Sequence, residues 1–250
     1  MPNGGAGGGA APEIRALPDM AALTTAAAAF VHDAAERAIV RHGRCSLVLA
    51  GGSTPRTLYE RLTADDAPRL PWNLIDVWFG DERCVGPDDP ASNYGMARDA
   101  MLAHLPVPPE NVRRIEGELG AQAAADAYDA ALRAECGAMT DGRETFDLVL
   151  LGIGTEGHTA SLFPGHPALG ARTRWAVPID PAPPTAIPQI PRVTLTLPAL
   201  TGALDVLFLA AGAEKAPIVQ AVRDGDVSLP AGLVRGRERT AWLVDHDAGA

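Results

Sequence analysis

Short apolar segments of strand length alternate with longer segments of helical periodicity along most of the chain. This alternation is typical of a parallel sheet covered by helices, so it predicts an α/β protein. Several apolar segments are almost continuous in Val, Leu, Ile and Phe, as strands buried on both faces require. The predicted strands are Ser46–Ala50, Ile75–Phe79, Asp147–Leu151, Trp175–Ile179, Val193–Leu197, Val206–Ala210 and Ala241–Val244. The predicted helices are Met20–Arg41, Pro55–Leu62, Tyr94–His104, Ala121–Cys136 and Glu214–Arg223.

Two proline-rich connectors interrupt this pattern, at Pro106–Pro109 and Pro178–Pro191. The second is long for a loop, and it fits a lid or a plain surface excursion about equally well. Because strands continue beyond both connectors, we expect a single domain over residues 13–250. Residues 1–12 are rich in glycine and predict a flexible tail that lacks the cationic and apolar regions of a signal peptide.

The composition limits the classes of partner. The chain has 250 residues with a formal net charge of −10 and no basic run, which argues against a nucleic-acid binder. No apolar run approaches the roughly 18 residues of a membrane span, so we expect a cytoplasmic protein without a membrane partner, either a monomer or a small homo-oligomer. Cys45, Cys84 and Cys136 lack CxxC spacing, which indicates reduced thiols rather than disulfides or a zinc site.

Glycine and charged residues cluster directly after four of the predicted strands. The clusters are GGSTP at 51–55, GDER at 80–83, GIGTEGH at 152–158 and GAEK at 212–215. Ligands of open parallel sheets bind in the crevice outside the carboxyl ends of the strands. We therefore expect the four clusters to converge on one pocket.

The first cluster has the features of an anion-binding turn. Gly51 and Gly52 allow a sharp turn, Ser53 or Thr54 can cap the next helix, and Pro55 suits its first turn. Such a helix start offers free N–H groups to a phosphate. A plain strand-to-helix turn explains the same residues, and the segment is neither a Walker A loop nor a GxGxxG fingerprint.

His158 is the candidate general base, because the ordinary pKa of imidazole suits proton transfer near neutrality. It lies among three glycines, and Glu156 precedes it by two residues. His166 follows closely and is a second, less well placed candidate. The other histidines lie in helix or tail contexts that favour packing or solvated roles: His32, His42, His104 and His246.

Two cations, Arg83 and Lys215, follow two further strands. Lys215 is the single lysine among 21 basic residues. Every other basic position of the chain is an arginine. The lysine at position 215 therefore indicates that a compact ammonium group is required there, for example as a point charge that binds phosphate. For Arg83, a solvated loop charge is the alternative.

At these residues the sequence resembles the 6-phosphogluconolactonases. The matching segments are LAGGSTPRTLYERL (49–62), WFGDERCVGPDDPASNYGMAR (78–98), FDLVLLGIGTEGHTASLFPG (146–165), RVTLTLPAL (192–200) and FLAAGAEKAPIV (208–219). The related glucosamine-6-phosphate deaminases share GGSTP and GxGxxGH. They typically carry DEY in place of DER at 81–83 and GHIAFNEP in place of GHTASLFP at 157–164, and both differences favour the lactonases. Glu156 stands where many lactonases have aspartate.

The resemblance implies an α/β fold with a doubly wound, mostly parallel sheet and helices on both faces, as in the deaminases and ribose-5-phosphate isomerases. It also implies hydrolysis of 6-phospho-D-glucono-1,5-lactone, the second step of the oxidative pentose phosphate pathway, without a metal or organic cofactor. A nucleophilic Ser–His hydrolase would need a GxSxG elbow, which is missing. A non-catalytic sugar-phosphate sensor on the same fold is a further alternative. It would have no need of a base such as His158.

The resemblance also implies roles for the candidate residues. Arg83 and Lys215 would hold the 6-phosphate with the Gly51–Thr54 turn nearby, and His158 would activate a water. Gly154 is a predicted substrate contact, in a loop whose N–H groups can stabilise an oxyanion. Asp81 and Glu156 would orient the cations, the histidine or the sugar hydroxyls.

Overall fold

The computed structural model describes residues 12–136 and 145–250, which contain nine strands in two sheets. The predicted tail therefore lies outside the described residues, except for Pro12. The strands are β1 (Glu13–Leu17), β2 (Cys45–Leu49), β3 (Ile75–Phe79), β4 (Asp81–Arg83), β5 (Leu148–Leu151), β6 (Ala176–Ile179), β7 (Arg192–Leu195), β8 (Asp205–Ala210) and β9 (Arg239–Asp245). The α-helices are α1 (Met20–His42), α2 (Ser53–Leu62), α3 (Asn93–Ala97), α4 (Ala121–Cys136), α5 (Leu197–Thr201), α6 (Ala216–Arg223), α7 (Pro230–Leu233) and α8 (His246–Gly249).

The larger sheet is parallel throughout, in the order β1-β9-β8-β5-β2-β3. From β2 the chain moves outward to β3, then returns to the other side of β2 to form β5. Such a reversal of strand order opens a crevice at the carboxyl ends of the two central strands. The predicted fold class, a doubly wound and mostly parallel sheet covered by helices, is confirmed.

Two of the predicted strands belong to a second sheet instead. β6 and β7 pair antiparallel with each other, and β7 pairs antiparallel with β4. β4 follows β3 after Gly80 alone, and one residue is far too short for the crossover that a parallel neighbour requires. The chain therefore leaves the large sheet at Gly80. The predicted strand Val193–Leu197 is two residues too long, because Thr196 accepts a hydrogen bond from the Ala199 N–H and caps α5.

Helix ends follow capping chemistry more than apolar periodicity. The Asp19 carboxylate accepts a hydrogen bond from the Ala22 N–H (2.8 Å) at the start of α1. Gly43, with φ of +88°, ends the helix and donates to the Ile39 carbonyl. The buried apolar face of α1 packs on the large sheet. The predicted helix Tyr94–His104 is divided, because α3 gives way to a π-helical turn at Arg98–Leu102.

Two buried tyrosines fix the ends of the strands that lead into the crevice. The Tyr59 hydroxyl donates to the Ala50 carbonyl and accepts from the Ala50 N–H, both at 2.8 Å, just after β2. Tyr128 makes the same pair of hydrogen bonds to Phe79, at the end of β3. Burial raises the pKa of Tyr59, so its hydroxyl keeps the proton that it donates.

No helix within residues 12–136 or 145–250 is long and apolar enough to cross a membrane. Cys45 and Cys84 are free thiols. Burial raises the pKa of Cys84 to about 11, which keeps it protonated near neutrality.

The Glu82 carboxylate joins β4 to the start of α3. It is 2% exposed and accepts hydrogen bonds from the backbone N–H groups of Arg83, Asn93 and Tyr94, each at 2.7 Å. The Ser92 hydroxyl donates a fourth, at 3.0 Å. Burial raises the pKa of Glu82, and the backbone hydrogen bonds counteract that effect.

We expect Glu82→Gln to lower the free energy of unfolding by about 2 kcal/mol, because its amide nitrogen would face donors that then lack an acceptor. Thermal or denaturant unfolding measures this change. Glu60→Gln is the matched control, since the Glu60 side chain is 51% exposed and its ion pair with Arg56 contributes little. Equal losses in the two variants would contradict the role given to Glu82.

Candidate active site

A cleft opens at the carboxyl ends of the central parallel strands, where the sheet order reverses. All four predicted clusters reach it. Its walls include these predicted residues: Gly51, Gly52, Ser53, Thr54, Asp81, Arg83, Gly154, His158 and Lys215. Glu156 contacts the cleft through its hydrogen bond to His158.

The turn after β2 presents the start of α2 to the cleft. Gly52 has φ of +105° and occupies the N-cap position, so Ser53 is the first helical residue. The prediction that Ser53 or Thr54 caps this helix is wrong, because no side-chain hydrogen bond caps α2. The first N–H groups of the helix are therefore left to an anion, which the local positive end of the helix also favours.

Gly51 is required by close packing against α3. A Cβ at position 51 would lie 2.1 Å from the Asn93 side-chain oxygen, Oδ1, which no real contact tolerates. The Asn93 amide nitrogen donates to the Asp81 carbonyl (2.9 Å) and to Asp81 Oδ1 (3.2 Å). Asn93 therefore joins the turn after β2 to the start of β4.

His158 and Glu156 form a paired acid–base group at one wall of the cleft. His158 Nδ1 lies 2.8 Å from Glu156 Oε1, and about a quarter of each side chain is exposed. The His158 ring packs on the Phe163 ring, with centroids 4.7 Å apart. In the neutral tautomer that donates from Nδ1 to the carboxylate, the Nε2 lone pair is available to accept a proton.

The loop before His158 is folded by its own hydrogen bonds. The Gly154 N–H donates to the His158 carbonyl (2.9 Å), and the Gly157 N–H donates to the Gly154 carbonyl (3.1 Å). These two donors are therefore already engaged, which counts against an oxyanion role for either of them. A Cβ at Gly154 would lie 2.0 Å from His158 Nδ1 and 2.5 Å from Glu156 Oε2. The structure thus gives Gly154 a steric role beside the acid–base pair.

Arg83 and Lys215 lie at other walls of the cleft, both half-buried. Arg83 Nη1 donates to the Ala91 carbonyl at 2.6 Å, in the loop that leads to α3. Lys215 ends a short 3₁₀ turn that follows β8. The Asp245 carboxylate accepts from the Gly212 N–H at 3.1 Å and so holds the start of that turn.

Asp81 is buried and bound to polar neighbours on several sides. Besides Asn93, the Ser161 hydroxyl donates to its Oδ2. Arg192 Nη1 lies 3.9 Å from the same oxygen. The carboxylate therefore orients neighbouring side chains of the cleft.

Two polar side chains of the cleft were given no role from the sequence, those of Asn93 and Arg192. Both lie in segments that carry the family resemblance, but neither segment reveals which side chain faces the cleft. Arg192 is 3% exposed at the first position of β7. Its place depends on the pairing of β7 with β4, which the apolar pattern does not encode.

Metal ligands were not predicted. Among residues 12–136 and 145–250, no three His, Cys, Asp or Glu side chains gather in an arrangement that could hold a metal ion.

Comparison with known proteins identifies relatives over nearly the whole chain. The family model described as glucosamine-6-phosphate isomerases/6-phosphogluconolactonase matches residues 18–242. The 6-phosphogluconolactonase of Mycobacterium tuberculosis is 38% identical, over 95% of this chain and 97% of its own.

Solved structures of related proteins have the same fold as this chain. The crystal structure of 6-phosphogluconolactonase from Thermotoga maritima has a TM-score of 0.81 and 32% identity, and the alignment covers 94% of this chain and 99% of that one. A monomeric glucosamine-6-phosphate deaminase has the same fold, with a TM-score of 0.75 at 20% identity. The chain therefore belongs to the glucosamine-6-phosphate isomerase/6-phosphogluconolactonase family.

Proposed function

We propose that the protein hydrolyses 6-phospho-D-glucono-1,5-lactone to 6-phospho-D-gluconate, in the oxidative pentose phosphate pathway, through a water activated by His158. The observation that carries this proposal is the His158–Glu156 hydrogen bond in a cleft that Arg83 and Lys215 also line. A base at one wall and cations at others suit a substrate that has both an electrophilic carbonyl and a phosphate. The relatives named 6-phosphogluconolactonase support the same substrate.

The first chemical step is attack of water on the lactone carbonyl carbon, C1. His158 Nε2 accepts a proton from the water as its oxygen bonds to C1, and the carbonyl becomes an oxyanion. The ester carbonyl is electrophilic enough that no covalent enzyme intermediate is needed. The Glu156 carboxylate, bound to Nδ1, stabilises the imidazolium that forms and fixes the orientation of the ring.

The second step breaks the bond between C1 and the ring oxygen. The oxyanion collapses to a carboxyl group, and His158 returns its proton to the departing ring oxygen, which becomes a hydroxyl of the open-chain acid. The histidine is neutral again after each turnover, so the two steps balance without a cofactor.

The phosphate end is bound by the cations and by the turn after β2. We propose that Arg83 and Lys215 donate charge-assisted hydrogen bonds to the phosphate oxygens, with the first N–H groups of α2 nearby. We propose further that the protein acts in the cytoplasm on this small molecule, as a monomer or small homo-oligomer, without nucleic acid or membrane.

Glucosamine-6-phosphate deamination is the competing reaction within the family, and a non-catalytic sensor is the competing role. A side-by-side assay separates the three. Lactone hydrolysis is measured with freshly generated 6-phosphogluconolactone and corrected for spontaneous hydrolysis, and ammonia release is measured from glucosamine 6-phosphate. Ammonia release alone would show a deaminase, and binding of 6-phosphogluconate without either turnover would show a sensor.

We expect His158→Asn to lower kcat by about 10²- to 10⁴-fold, the usual contribution of a general base. His166→Asn is the control, because His166 caps a 3₁₀ turn through an acceptor that asparagine also offers. Near wild-type kcat in the His158 variant would exclude it as the base. A trapped acyl-enzyme would point instead to a nucleophilic hydrolase.

We expect Gly154→Ala to lower kcat about 100-fold with little change in thermal stability, because the added methyl displaces His158 and Glu156 from their shared hydrogen bond. Gly170→Ala is the control, since a Cβ at position 170 meets no atom within 4 Å. Equal kcat values for these two variants would contradict the steric role of Gly154.

We expect Lys215→Ala to raise KM for the phosphorylated lactone about 10- to 100-fold, as loss of a charge-assisted hydrogen bond would. Unphosphorylated glucono-1,5-lactone is the matched substrate, and its kcat/KM should not change. Lys215→Arg should recover only part of the loss if the site needs a compact ammonium. An unchanged KM in the alanine variant would remove Lys215 from the phosphate site.

A further inference from the structure

Two arginines lie directly opposite each other across the β4–β7 pair. The antiparallel register aligns Arg83 with Arg192, and both side chains line the cleft. Residues opposed in this way have Cβ atoms about 5 Å apart, and like charges at such positions destabilise a sheet. The pair therefore needs a compensating interaction.

Among the described residues, the carboxylates near Arg192 do not form a close ion pair with it. This side chain is almost completely buried, and its nearest carboxylate oxygen, on Asp81, lies 3.9 Å away. Asp81 is held by hydrogen bonds from Asn93 and Ser161, so it is anchored at that distance. Burial lowers the pKa of Arg192 and the Arg83 charge adds to that effect, while the Asp81, Glu156 and Glu82 carboxylates counteract it.

The hydrogen-bond donors of the two guanidinium groups are only partly used. Arg192 Nη2 donates to the carbonyls of Ile187 (3.1 Å) and Pro188 (3.0 Å), and Arg83 Nη1 donates to the Ala91 carbonyl. The Nε atom of each arginine is buried without a hydrogen-bond partner among the described residues. The protein therefore satisfies the two charged groups incompletely, and an anion in the cleft that accepts from their other N–H groups gains binding energy.

We propose that Arg192 and Arg83 form a guanidinium pair that binds the phosphate monoester dianion of the substrate, with the guanidinium N–H groups that face the cleft donating to the phosphate oxygens. This inference rests on the proposed function and adds Arg192 as a binding residue that sets the preference for a phosphorylated substrate. A dianion neutralises both cations at once, and guanidinium groups match phosphate oxygens in geometry.

Arg192 and His158 contact the same aromatic ring, so the arginine pair and the His158–Glu156 pair border one part of the cleft. The Arg192 guanidinium carbon lies 5.7 Å from the centroid of the Phe163 ring, and the same ring carries His158 at 4.7 Å. Across the small sheet Arg192 faces Arg83, while His158 is hydrogen-bonded to Glu156. One ligand can therefore place its phosphate at the arginine pair and its lactone at His158.

Inorganic phosphate provides a test that does not depend on turnover. Phosphate is titrated into the wild-type protein, Arg192→Gln, Arg192→Lys and Arg83→Gln, and binding is read from the rise in Tm. We expect about 10- to 100-fold weaker phosphate binding in both glutamine variants. Arg192→Lys, which keeps a cation but lacks the planar guanidinium, should fall between wild type and Arg192→Gln, and it substitutes for the glutamine variant if that one does not fold.

Arg235→Gln is the matched control. Arg235 is half-buried, burial lowers its pKa as it does for Arg192, and it does not line the cleft. Its phosphate binding should equal that of the wild type. Equal phosphate binding in Arg192→Gln, Arg192→Lys and wild type would overturn the guanidinium pair.

Kinetics distinguish phosphate binding from a role at the lactone carbonyl. We expect Arg192→Lys to raise KM for 6-phosphogluconolactone about 10-fold or more while kcat/KM for unphosphorylated glucono-1,5-lactone stays the same. A parallel loss on both lactones, with KM unchanged, would place Arg192 at the reacting end and overturn the proposal. If the wild-type protein hydrolyses no lactone, the proposed function fails, and the phosphate titration alone decides on the arginine pair.

Discussion

A buried carboxylate holds several walls of the cleft together. Glu82 satisfies three backbone N–H groups and one hydroxyl, and so fixes the three-residue strand β4 against the first turn of α3. β4 in turn pairs with β7. Arg83, Asn93 and Arg192 therefore take their positions from one side chain that does not itself line the cleft. A short polar strand of this kind has too little apolar surface to hold its place by burial, so hydrogen bonding must do it.

The charge of the whole chain and the charge of the cleft have opposite signs. The net charge is −10, yet three cationic side chains line the cleft: Arg83, Arg192 and Lys215. Two carboxylates at the cleft, Asp81 and Glu156, are bound to Asn93, Ser161 and His158. An acidic surface repels polyanions at long range, whereas a few donors in a confined cleft act on a single phosphate at contact distance. The acidic composition is therefore compatible with a phosphorylated ligand.

The sequence predicts five of the six strands of the large sheet, because these are largely buried and therefore almost continuously apolar. It does not predict the edge strand β1 (Glu13–Leu17), in which only Leu17 is buried. It also predicts that four glycine-rich clusters meet, since each follows one of those strands or the strand's direct extension. It does not predict β4, whose three residues, Asp81, Glu82 and Arg83, are all charged. It also does not predict that β4 pairs with β7, because an apolar pattern shows which residues are buried but not which strands are neighbours. Arg192 was missed for that reason.

The two ends of the proposed substrate are bound by different kinds of structure. The acid–base pair is local, since His158 and Glu156 are two residues apart in a loop closed by the Gly154 N–H and the His158 carbonyl. The cations that we propose to bind phosphate come from distant parts of the chain: Arg83, Arg192 and Lys215. A small shift between the two sheets would move Arg83 and Arg192 relative to Lys215 without opening the His158–Glu156 hydrogen bond. The proposed acid–base pair is thus held by one short loop, while the proposed phosphate site depends on how the small sheet packs against the large one.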